Sequence, residues 1–327
     1  MSESQPVRGE FELIERYFSR PLPAGATYVR LGVGDDCALL AAAPGEEWAV
    51  STDMLVEGVH FLPDVDPEAL GHKSLAVNLS DLAACGATPR CYFLAIALPR
   101  IDEAWLAAFV RGQSFLADLH HCYLAGGDTT RSVSGVTLSI TVMGTVPQGQ
   151  ALLRSGARPG DEIWVSGTLG AAALGLACRR GEVHLSGPDA DRMIARLERP
   201  LPRVALGARL RGIATSAIDI SDGLVGDLGH ILDRSGVGAV IEWPKVPIDD
   251  ALRSQPEALQ HRLALTGGDD YELLFTAPPE RRQDVLAAGA ATGLAGLGTV
   301  QPTGGLVVVD GLGRRVDTGA AFDHFRR

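Results

Sequence analysis

The aspartates of this sequence are concentrated beside glycines, at points where strands and helices are expected to meet. Asp35 and Asp36 follow two glycines in the segment YVRLGVGDDCALL, inside an otherwise apolar stretch. A turn needs only one such residue, because Asp and Gly both suit turn geometry. The second carboxylate repels the first. The pair therefore indicates that a metal ion or a cationic ligand binds beside it, unless the segment is only a turn.

Five further aspartates stand at similar junctions or in a helix. Asp53 ends the expected strand EWAVSTD, and Asp128 lies in AGGDTTR, directly after the expected strand CYLAG. Asp219 and Asp222 flank the turn from strand to helix in AIDISDGL, and Asp81 lies in an expected helix beside its stripe of leucines. Ligands of open α/β sheets collect where strands end and loops converge. Glycine also lets a phosphate approach the backbone closely.

The last pair, Asp269 and Asp270, lies in TGGDDYE, just before an expected strand. Each segment taken alone also fits a structural role. SDGL fits a helix N-cap with Asp222 as the acceptor, GVGDD a turn, GGDTTR and TGGDDY loops, Asp81 a solvent-facing residue, and His60 a structural histidine. Their number favours a functional site, because ligand sets made only of oxygen suit hard cations such as Mg²⁺. The residues predict Mg²⁺-dependent phosphate chemistry without a Walker-type loop, since the chain contains no Gly-Lys-Ser/Thr.

Composition limits the class of protein. A chain of 327 residues is long for one hydrophobic core, so two domains are expected. The formal net charge of −11 argues against a nucleic-acid surface, but it permits phosphate ligands that divalent cations bridge to the protein. The five cysteines include no Cys-x-x-Cys pair. A zinc site and a disulfide framework are therefore not expected, and a cytoplasmic location is.

The sequence predicts neither secretion nor a membrane partner. The N-terminal segment MSESQPVRGEFELIERYF has no basic stretch followed by an apolar one, so no signal peptide is expected. The longest strongly apolar run, CYFLAIAL at 91–98, is far too short to span a bilayer.

Helix and strand patterns alternate along the chain and predict two mixed α/β domains. GEFELIERYF, DPEALGHKSLAVNLSDLAAC and DEAWLAAFVRGQSFLADL are expected helices, the second with an Asp-Pro start. GVTLSITVMGTV alternates apolar and polar residues as a strand does. In the second half, EIWVSG, AIDI and YELLFTAP are expected strands, and AAALGLAC and SDGLVGDLGHILDRSG expected helices. A Pro/Gly-rich crossover within 147–160 gives domains 1–150 and 151–327.

Segments spread in order over almost the whole chain resemble the thiamine-monophosphate kinase family of the aminoimidazole ribonucleotide synthetase-like superfamily. They are GEFELIERYF, LGVGDDCALL, STDMLVEGVHF, KSLAVNLSDLAACGATP, LAGGDTTR, RSGARPGD, IDISDGLVGDLGHI, TGGDDYELLFT and FDHF. The resemblance implies the two-domain α/β (α+β) fold of that superfamily. Its N-terminal domain, a mixed sheet with helices, would bind ATP and Mg²⁺ and form a homodimer, and its C-terminal α/β domain would close the substrate cleft.

The same resemblance implies an enzyme that phosphorylates thiamine monophosphate with ATP, giving thiamine diphosphate and ADP by direct in-line transfer assisted by several Mg²⁺ ions. The implied Mg²⁺ ligands are Asp36, Ser51, Thr52, Asp53, Asp81, Asp128, Asp219 and Asp222. The implied ATP contacts are Gly127, Asp128, Arg154 and Ser221, and the implied substrate contacts are His60, Asp269 and Phe322. No catalytic residue beyond the metal ligands is implied, because the acceptor phosphate is already anionic near neutral pH.

Two positions depart from the family pattern. The family generally has Glu where Asp269 stands and Tyr or Trp where Phe322 stands. Asp269 keeps the charge on a side chain one methylene shorter, and Phe322 keeps an aromatic face without a polar group. Two other functions stay open. One is an ATP-using enzyme similar to aminoimidazole ribonucleotide synthetase, which activates an amide or formyl oxygen, and the other is an inactive Mg-nucleotide-binding module.

Overall fold

The computed structural model describes residues 14–18, 21, 28–31, 39–40 and 43–319 of the chain. This part of the chain forms two compact units. The first contains the described residues up to 82 together with 88–148, and the second contains 83–87 together with 149–319. The end of one long helix therefore belongs to the second unit.

The first unit contains a four-stranded sheet, a two-stranded antiparallel ladder, two long helices and a π-helical turn at Ile14–Phe18. Its strands are β1 (Val29–Leu31), β2 (Leu39–Leu40), β3 (Glu46–Val56), β4 (Thr88–Leu98), β5 (Tyr123–Arg131) and β6 (Thr137–Pro147). Its long helices are α1 (Pro67–Ala84) and α2 (Glu103–His120). The larger sheet has the order β3-β6-β4-β5, and only the β4–β5 pair in it is parallel.

Strand β6 has one buried face and one partly exposed face. Leu138, Ile140 and Val142 are fully buried, whereas Ser139 and Thr141 between them are only partly buried. Side chains along a strand alternate between the two faces of a sheet. The apolar residues of GVTLSITVMGTV therefore pack inside the unit, and the alternation expected from the sequence is confirmed.

The two long helices of the first unit approach each other at two glycines. A Cβ atom on Gly71 would lie 1.9 Å from the carbonyl oxygen of Phe109. A Cβ atom on Gly112 would lie 1.8 Å from the carbonyl oxygen of Glu68. Only glycine permits so close an approach of two backbones. This close contact fixes the position of α1 against α2.

The second unit contains a six-stranded sheet with the order β12-β9-β11-β7-β10-β8, in which only the β12–β9 pair is parallel. Its strands are β7 (Glu162–Ser166), β8 (Ser216–Asp219), β9 (Gly238–Glu242), β10 (Leu273–Ala277), β11 (Leu294–Gln301) and β12 (Leu306–Val309). Its helices are α3 (Ala171–Arg179), α4 (Pro188–Glu198), α5 (Val204–Leu210), α6 (Leu224–Ser235), α7 (Asp250–Arg253), α8 (Glu257–Thr266) and α9 (Arg282–Ala288). Short 3₁₀ turns stand at Trp243–Lys245 and Pro279–Arg281.

The core of the second unit lies between its sheet and its helices. Ile163, Ile218 and Leu274 contribute to it from three adjacent strands, and Leu228 and Ile231 from α6. The mixed α/β character of both units confirms the fold class expected from the sequence. Of the segment GEFELIERYF, only the π-helical turn is described. None of the described helices is long and apolar enough to cross a membrane.

Two strands are longer than the sequence predicts. β3 continues beyond Asp53 to Val56, and β5 continues through Asp128 to Arg131. Asp53 therefore does not end its strand, and Asp128 lies in a strand instead of the expected loop. The reason is the neighbouring strand in each case. β6 pairs with β3 as far as Val56, and β4 pairs with β5 as far as Arg131, so the backbone groups find partners in the sheet.

Candidate functional site

The first unit brings Ser51, Asp53 and Asp81 together. Ser51 and Asp53 lie on the partly buried face of β3, and Asp81 lies on α1. The hydroxyl of Ser51 donates a hydrogen bond to Oδ2 of Asp81. Burial and then the negative charge of Asp81 raise the pKa of Asp53 to about 7. The cluster gathers two carboxylates and one hydroxyl, so it presents only oxygen atoms.

Thr52 lies on the opposite face of β3 from Ser51 and Asp53. Its side chain is exposed, and its hydroxyl pairs with the hydroxyl of Thr141 at 2.8 Å. Because strand residues alternate between faces, the Thr52 hydroxyl cannot join its neighbours around one ion. Only the main chain of Thr52 lies beside the cluster.

Gly127 and Asp128 lie on β5, at the opposite edge of the sheet from β3. The register runs from Asp53 through Ile140 and Leu94 to Gly127. Strands are spaced about 4.8 Å apart, so Asp53 and Gly127 are roughly 14 Å apart across the sheet. Ligands of one Mg²⁺ lie about 2.1 Å from it, so Asp53 and Asp128 do not share an ion.

Packing requires glycine at position 127, in addition to the contact with ATP that is expected there. A Cβ atom at this position would lie 2.0 Å from the carbonyl oxygen of Leu94.

The described residues contain no group of three or more His, Cys, Asp or Glu side chains arranged around one metal position. One ion shared by Asp53 and Asp128 is therefore excluded, and their expected part in a cluster of several Mg²⁺ ions stays a prediction. Asp36 lies outside the described residues.

His60 lies in the turn that follows β3. The N–H of Val56 donates to its Nδ1 at 3.0 Å, so the proton of the neutral imidazole is on Nε2. Nζ of the buried Lys73 donates to the His60 carbonyl oxygen at 3.4 Å. The ring is thus oriented by its own turn, with Nε2 as a hydrogen-bond donor. Phe322, the other aromatic residue expected at the substrate, lies outside the described residues.

In the second unit, Asp219 is the last residue of β8 and is buried. The turn that follows it carries Ser221 and Asp222, both partly buried. Three consecutive N–H groups, of Ser221, Asp222 and Gly223, donate to Oδ2 of Asp227, each at 3.1 Å. The strand-to-helix turn expected at AIDISDGL is confirmed, and Asp227 fixes its shape.

Sequence reasoning missed Asp227, which is buried in the first turn of α6. Burial raises its pKa to about 7, although three backbone N–H groups oppose the shift. Its sequence signal is weak. An acidic residue in the first turn of a helix is common, and SDGLVGD does not reveal that this one reaches back to the turn before the helix.

Asp269 lies beside this turn. Its N–H donates to the carbonyl oxygen of Ser221 at 2.9 Å, and the N–H of Tyr271 donates to that of Ile220 at 2.8 Å. The Tyr271 hydroxyl donates to Oδ1 of Asp269 at 3.0 Å. A residue expected at thiamine and residues expected at ATP and Mg²⁺ therefore stand on two loops joined by backbone hydrogen bonds.

Arg154 lies near the other end of β8. The carbonyl oxygen of Leu153, the residue before it, accepts the N–H of Ala217 near the start of that strand at 2.9 Å. The side chain of Arg154 is exposed. The main chain of Arg154 is therefore a strand length from Ser221.

Comparison with known proteins connects these features to one family. Residues 34–146 match the family described as AIR synthase related protein, N-terminal domain, and residues 158–311 match the corresponding C-terminal domain. The chain is 51% identical to the thiamine-monophosphate kinase of Escherichia coli (strain K12) over 276 residues, which are 84% of each chain.

Solved structures agree with these matches. The crystal structure of thiamine-monophosphate kinase from Stenotrophomonas maltophilia K279a superposes with a TM-score of 0.81 at 45% identity, covering 86% of this chain and 91% of that one. A structure described as AaThiL complexed with AMPPCP and TMP gives a TM-score of 0.77 at 30% identity, covering 99% and 100%. The family resemblance in the sequence motifs is confirmed, and the chain belongs to the thiamine-monophosphate kinase family within the AIR synthase related proteins.

Proposed function

We propose that this protein transfers the γ-phosphoryl group of ATP to thiamine monophosphate and forms thiamine diphosphate and ADP. The observation that carries the proposal is the 51% identity to the Escherichia coli kinase over 84% of both chains. A relative that covers 99% of this chain binds AMPPCP and TMP according to its description, which supports the same pair of substrates. The joined loops of Ser221 and Asp269 fit a site that holds both.

Mg²⁺ fits the acidic residues of both units. In the first unit, Ser51, Asp53 and Asp81 offer only oxygen atoms. Burial and the charge of Asp81 raise the pKa of Asp53, and a bound divalent cation would offset both effects. In the second unit, Asp219 and Asp222 flank one turn. Mg²⁺ bound at these residues would neutralise the phosphates and align them for in-line transfer. We also assign Mg²⁺ contacts to Asp36, Asp128 and the main chain of Thr52.

The remaining residues of the chain bind and orient the two substrates. Ser221 contacts ATP from a turn that Asp227 holds in place. Gly127 is assigned a contact with ATP from β5, and Arg154 provides a planar guanidinium suited to phosphate oxygens. The chain needs no general base, since the acceptor phosphate of thiamine monophosphate is anionic near neutral pH. Catalysis is then mainly positioning and charge stabilisation.

The thiamine side of the site is assigned to His60, Asp269 and Phe322. Nε2 of His60 carries a proton and can donate a hydrogen bond to the substrate. Asp269 has its carboxylate oriented by Tyr271. Asp269 is one methylene shorter than the Glu usual in the family. It therefore contacts the substrate directly only where the substrate lies closer to the loop, and otherwise through a water molecule. Phe322 would stack on a ring of thiamine.

The protein is also proposed to be a cytoplasmic homodimer. The apolar residues of β6 are buried within the unit, so the outer face of β3 is the candidate surface. Val50 is 56% exposed and Met54 59% exposed on that face. Apolar side chains exposed together on an edge strand favour association with a second copy.

The test of the proposed function is ADP release from ATP and Mg²⁺, measured with and without thiamine monophosphate. Release that depends on thiamine monophosphate supports the kinase. Release that depends instead on an aminoimidazole ribonucleotide precursor supports the synthetase-like alternative. Nucleotide binding without turnover under any of these conditions supports an inactive Mg-nucleotide-binding module.

A further inference from the structure

We propose that Asp270 and Glu272 are positioning residues, which hold Asp269 in a strained backbone conformation and so set its contact with thiamine monophosphate. The inference rests on the proposed function, because it concerns how the substrate residue of that function is held. It assigns different roles to the two members of the Asp269–Asp270 pair. Only Asp269 meets the substrate, and Asp270 points into the protein.

The segment that carries Asp269 is strained. Asp269 has a φ of 69° and Tyr271 a φ of 50°, which are left-handed values that L-residues other than glycine seldom adopt. Such a conformation is unfavourable for each residue, and it persists only where surrounding contacts define its position. Two of them within three residues therefore need anchors on both sides.

Asp270 is the first anchor. Its side chain is buried, and its Oδ2 accepts the N–H of Gly170 at 2.7 Å while Oδ1 faces the N–H of Ala172 at 3.5 Å. These N–H groups belong to the N-terminus of α3, where helix geometry leaves them without partners inside the helix. The helix dipole adds a favourable interaction with the carboxylate. Asp270 thus ties the middle of the strained segment to α3.

Glu272 is the second anchor, and it is fully buried. The guanidinium of Arg203 donates to it through Nε at 2.6 Å and Nη2 at 2.5 Å, as a fork. Nη2 of Arg196 donates to Oε1 at 2.7 Å, and the Ser166 hydroxyl donates to Oε2 at 2.5 Å. Bidentate, charge-assisted hydrogen bonds of this kind fix orientation as well as position.

The surroundings of Glu272 allow little movement. A Cβ atom on Gly167 would lie 2.2 Å from Oε1 of Glu272, so the strand end beside it leaves no room for a larger residue. The carbonyl oxygen of Glu272 also accepts the N–H of Ile220 at 2.8 Å. The backbone of Glu272 therefore pairs with the chain that leads into the Ser221 turn, and Glu272→Gln keeps this bond, whereas the side chain of Glu272 holds the Asp269 segment.

The experiment compares Glu272→Gln with Glu162→Gln as a matched control. Glu162 is also a buried glutamate and pairs with Arg282, but it lies in β7 opposite Ala277, at the end of β10 that is far from Glu272. The measurements are KM for each substrate and hydrogen exchange at the amides of Asp269 and Tyr271. A merely structural role would lower the melting temperature without separating the two KM values.

Glu272→Gln is expected to raise KM for thiamine monophosphate by about tenfold to a hundredfold, since a misplaced contact costs that much, and to leave KM for ATP nearly unchanged. Exchange at the Asp269 and Tyr271 amides should become faster. Glu162→Gln should change neither. If Glu272→Gln does not fold, Arg203→Lys keeps the charge but loses the fork, and it should shift the same KM in the same direction by a smaller factor.

Wild-type protein that shows no ADP release dependent on thiamine monophosphate would refute the proposed function itself. If the wild type is active, the inference is overturned by either of two results from the folded variant. One is an equal change in both KM values, and the other is unchanged KM values together with unchanged amide exchange.

Discussion

Asp269 donates its backbone N–H to the carbonyl oxygen of Ser221 at 2.9 Å. This bond connects two loops that are far apart in sequence, one assigned to thiamine monophosphate and the other to ATP and Mg²⁺. The bond sets the spacing of the two loops where they meet. Substitutions at buried residues behind the loops should affect substrate binding although they touch no substrate.

Asp227→Ala removes the acceptor of three N–H groups in the turn before α6. Each buried N–H left unpaired costs about 1–3 kcal/mol. Because water can reach some of the three N–H groups, the free energy of unfolding should fall by only about 2–4 kcal/mol. KM for ATP should also rise, since Ser221 lies in that turn. Denaturant unfolding and steady-state kinetics measure both effects.

Asp233→Ala is the control for this change, because Asp233 is an exposed aspartate on the same helix. It should alter the free energy of unfolding by less than about 0.5 kcal/mol. An equal loss of stability in the two variants would show that the turn does not depend on Asp227.

Asp53→Asn should fold and lose activity. The substitution removes a negative charge from the buried side of β3, next to Asp81, so the metal-free variant should melt at or above the wild-type temperature. Its kcat should fall by more than about a hundredfold, since even indirect changes at metal sites cost about 10–100-fold. Asp64→Asn, at an exposed position of the same unit, is the control.

A folded Asp53→Asn variant that is almost fully active across a Mg²⁺ titration would contradict the assignment of Asp53 as a ligand. Loss of activity in Asp64→Asn to the same extent would show that the effect is not specific to the cluster.

Asp270→Asn should change how stability depends on pH. Burial raises the pKa of Asp270 to about 7 from an ordinary value of 3.8. Between pH 3.8 and pH 7 this aspartate is ionised in the unfolded chain but keeps its proton in the folded chain. Its contribution to the free energy of unfolding of the wild type therefore falls as pH rises, and it levels off above pH 7. Asparagine has no such proton. The melting temperature of Asp270→Asn minus that of the wild type should therefore increase from pH 5 to pH 8, and a constant difference would contradict the pKa shift.

Gly127→Ala should destabilise the first unit. The added methyl group would lie 2.0 Å from the Leu94 carbonyl oxygen, so β4 and β5 must separate locally. A loss of about 1–3 kcal/mol is expected from such overpacking, measured by thermal or denaturant unfolding. Gly229→Ala is the control, because nothing lies within 4 Å of that added atom, and alanine at this helical position should be neutral or stabilising. Equal melting temperatures for Gly127→Ala and the wild type would argue against the close approach.

The dimer prediction concerns the outer face of β3. Light scattering at micromolar concentration should give the mass of two chains, and Met54→Glu should shift the protein toward the monomer because it places a charge on the exposed apolar face. Ser132→Glu, at a position outside this strand, is the comparison. A wild-type monomer at that concentration would exclude the homodimer.

Periodicity made much of the fold predictable. The helix with Asp81 and its buried leucines, the strand with Asp53, and the turn between Asp219 and α6 all follow from local spacing of apolar residues and from Asp-Gly turn chemistry. The extents of β3 and β5 did not follow, because their last residues are held by neighbouring strands. A strand end depends on its partner, which no local pattern specifies.

The supporting residues of the site could not be predicted for a similar reason. Asp227, Asp270 and Glu272 act on backbone N–H groups or arginines brought to them by the fold. Their sequence context resembles that of ordinary acidic residues in a helix or loop. The separation of Asp53 from Asp128 likewise depends on strand order, which places β6 and β4 between them.

The most direct measurement follows the γ-phosphoryl group of ATP. The purified wild-type chain is incubated with Mg²⁺, thiamine monophosphate and ATP labelled at the γ-phosphate, and the products are separated. The proposed function predicts that the label appears in thiamine diphosphate in step with ADP release, and that removal of Mg²⁺ by a chelator stops both. Label found only in inorganic phosphate, or no transfer by a folded protein that still binds nucleotide, would contradict it.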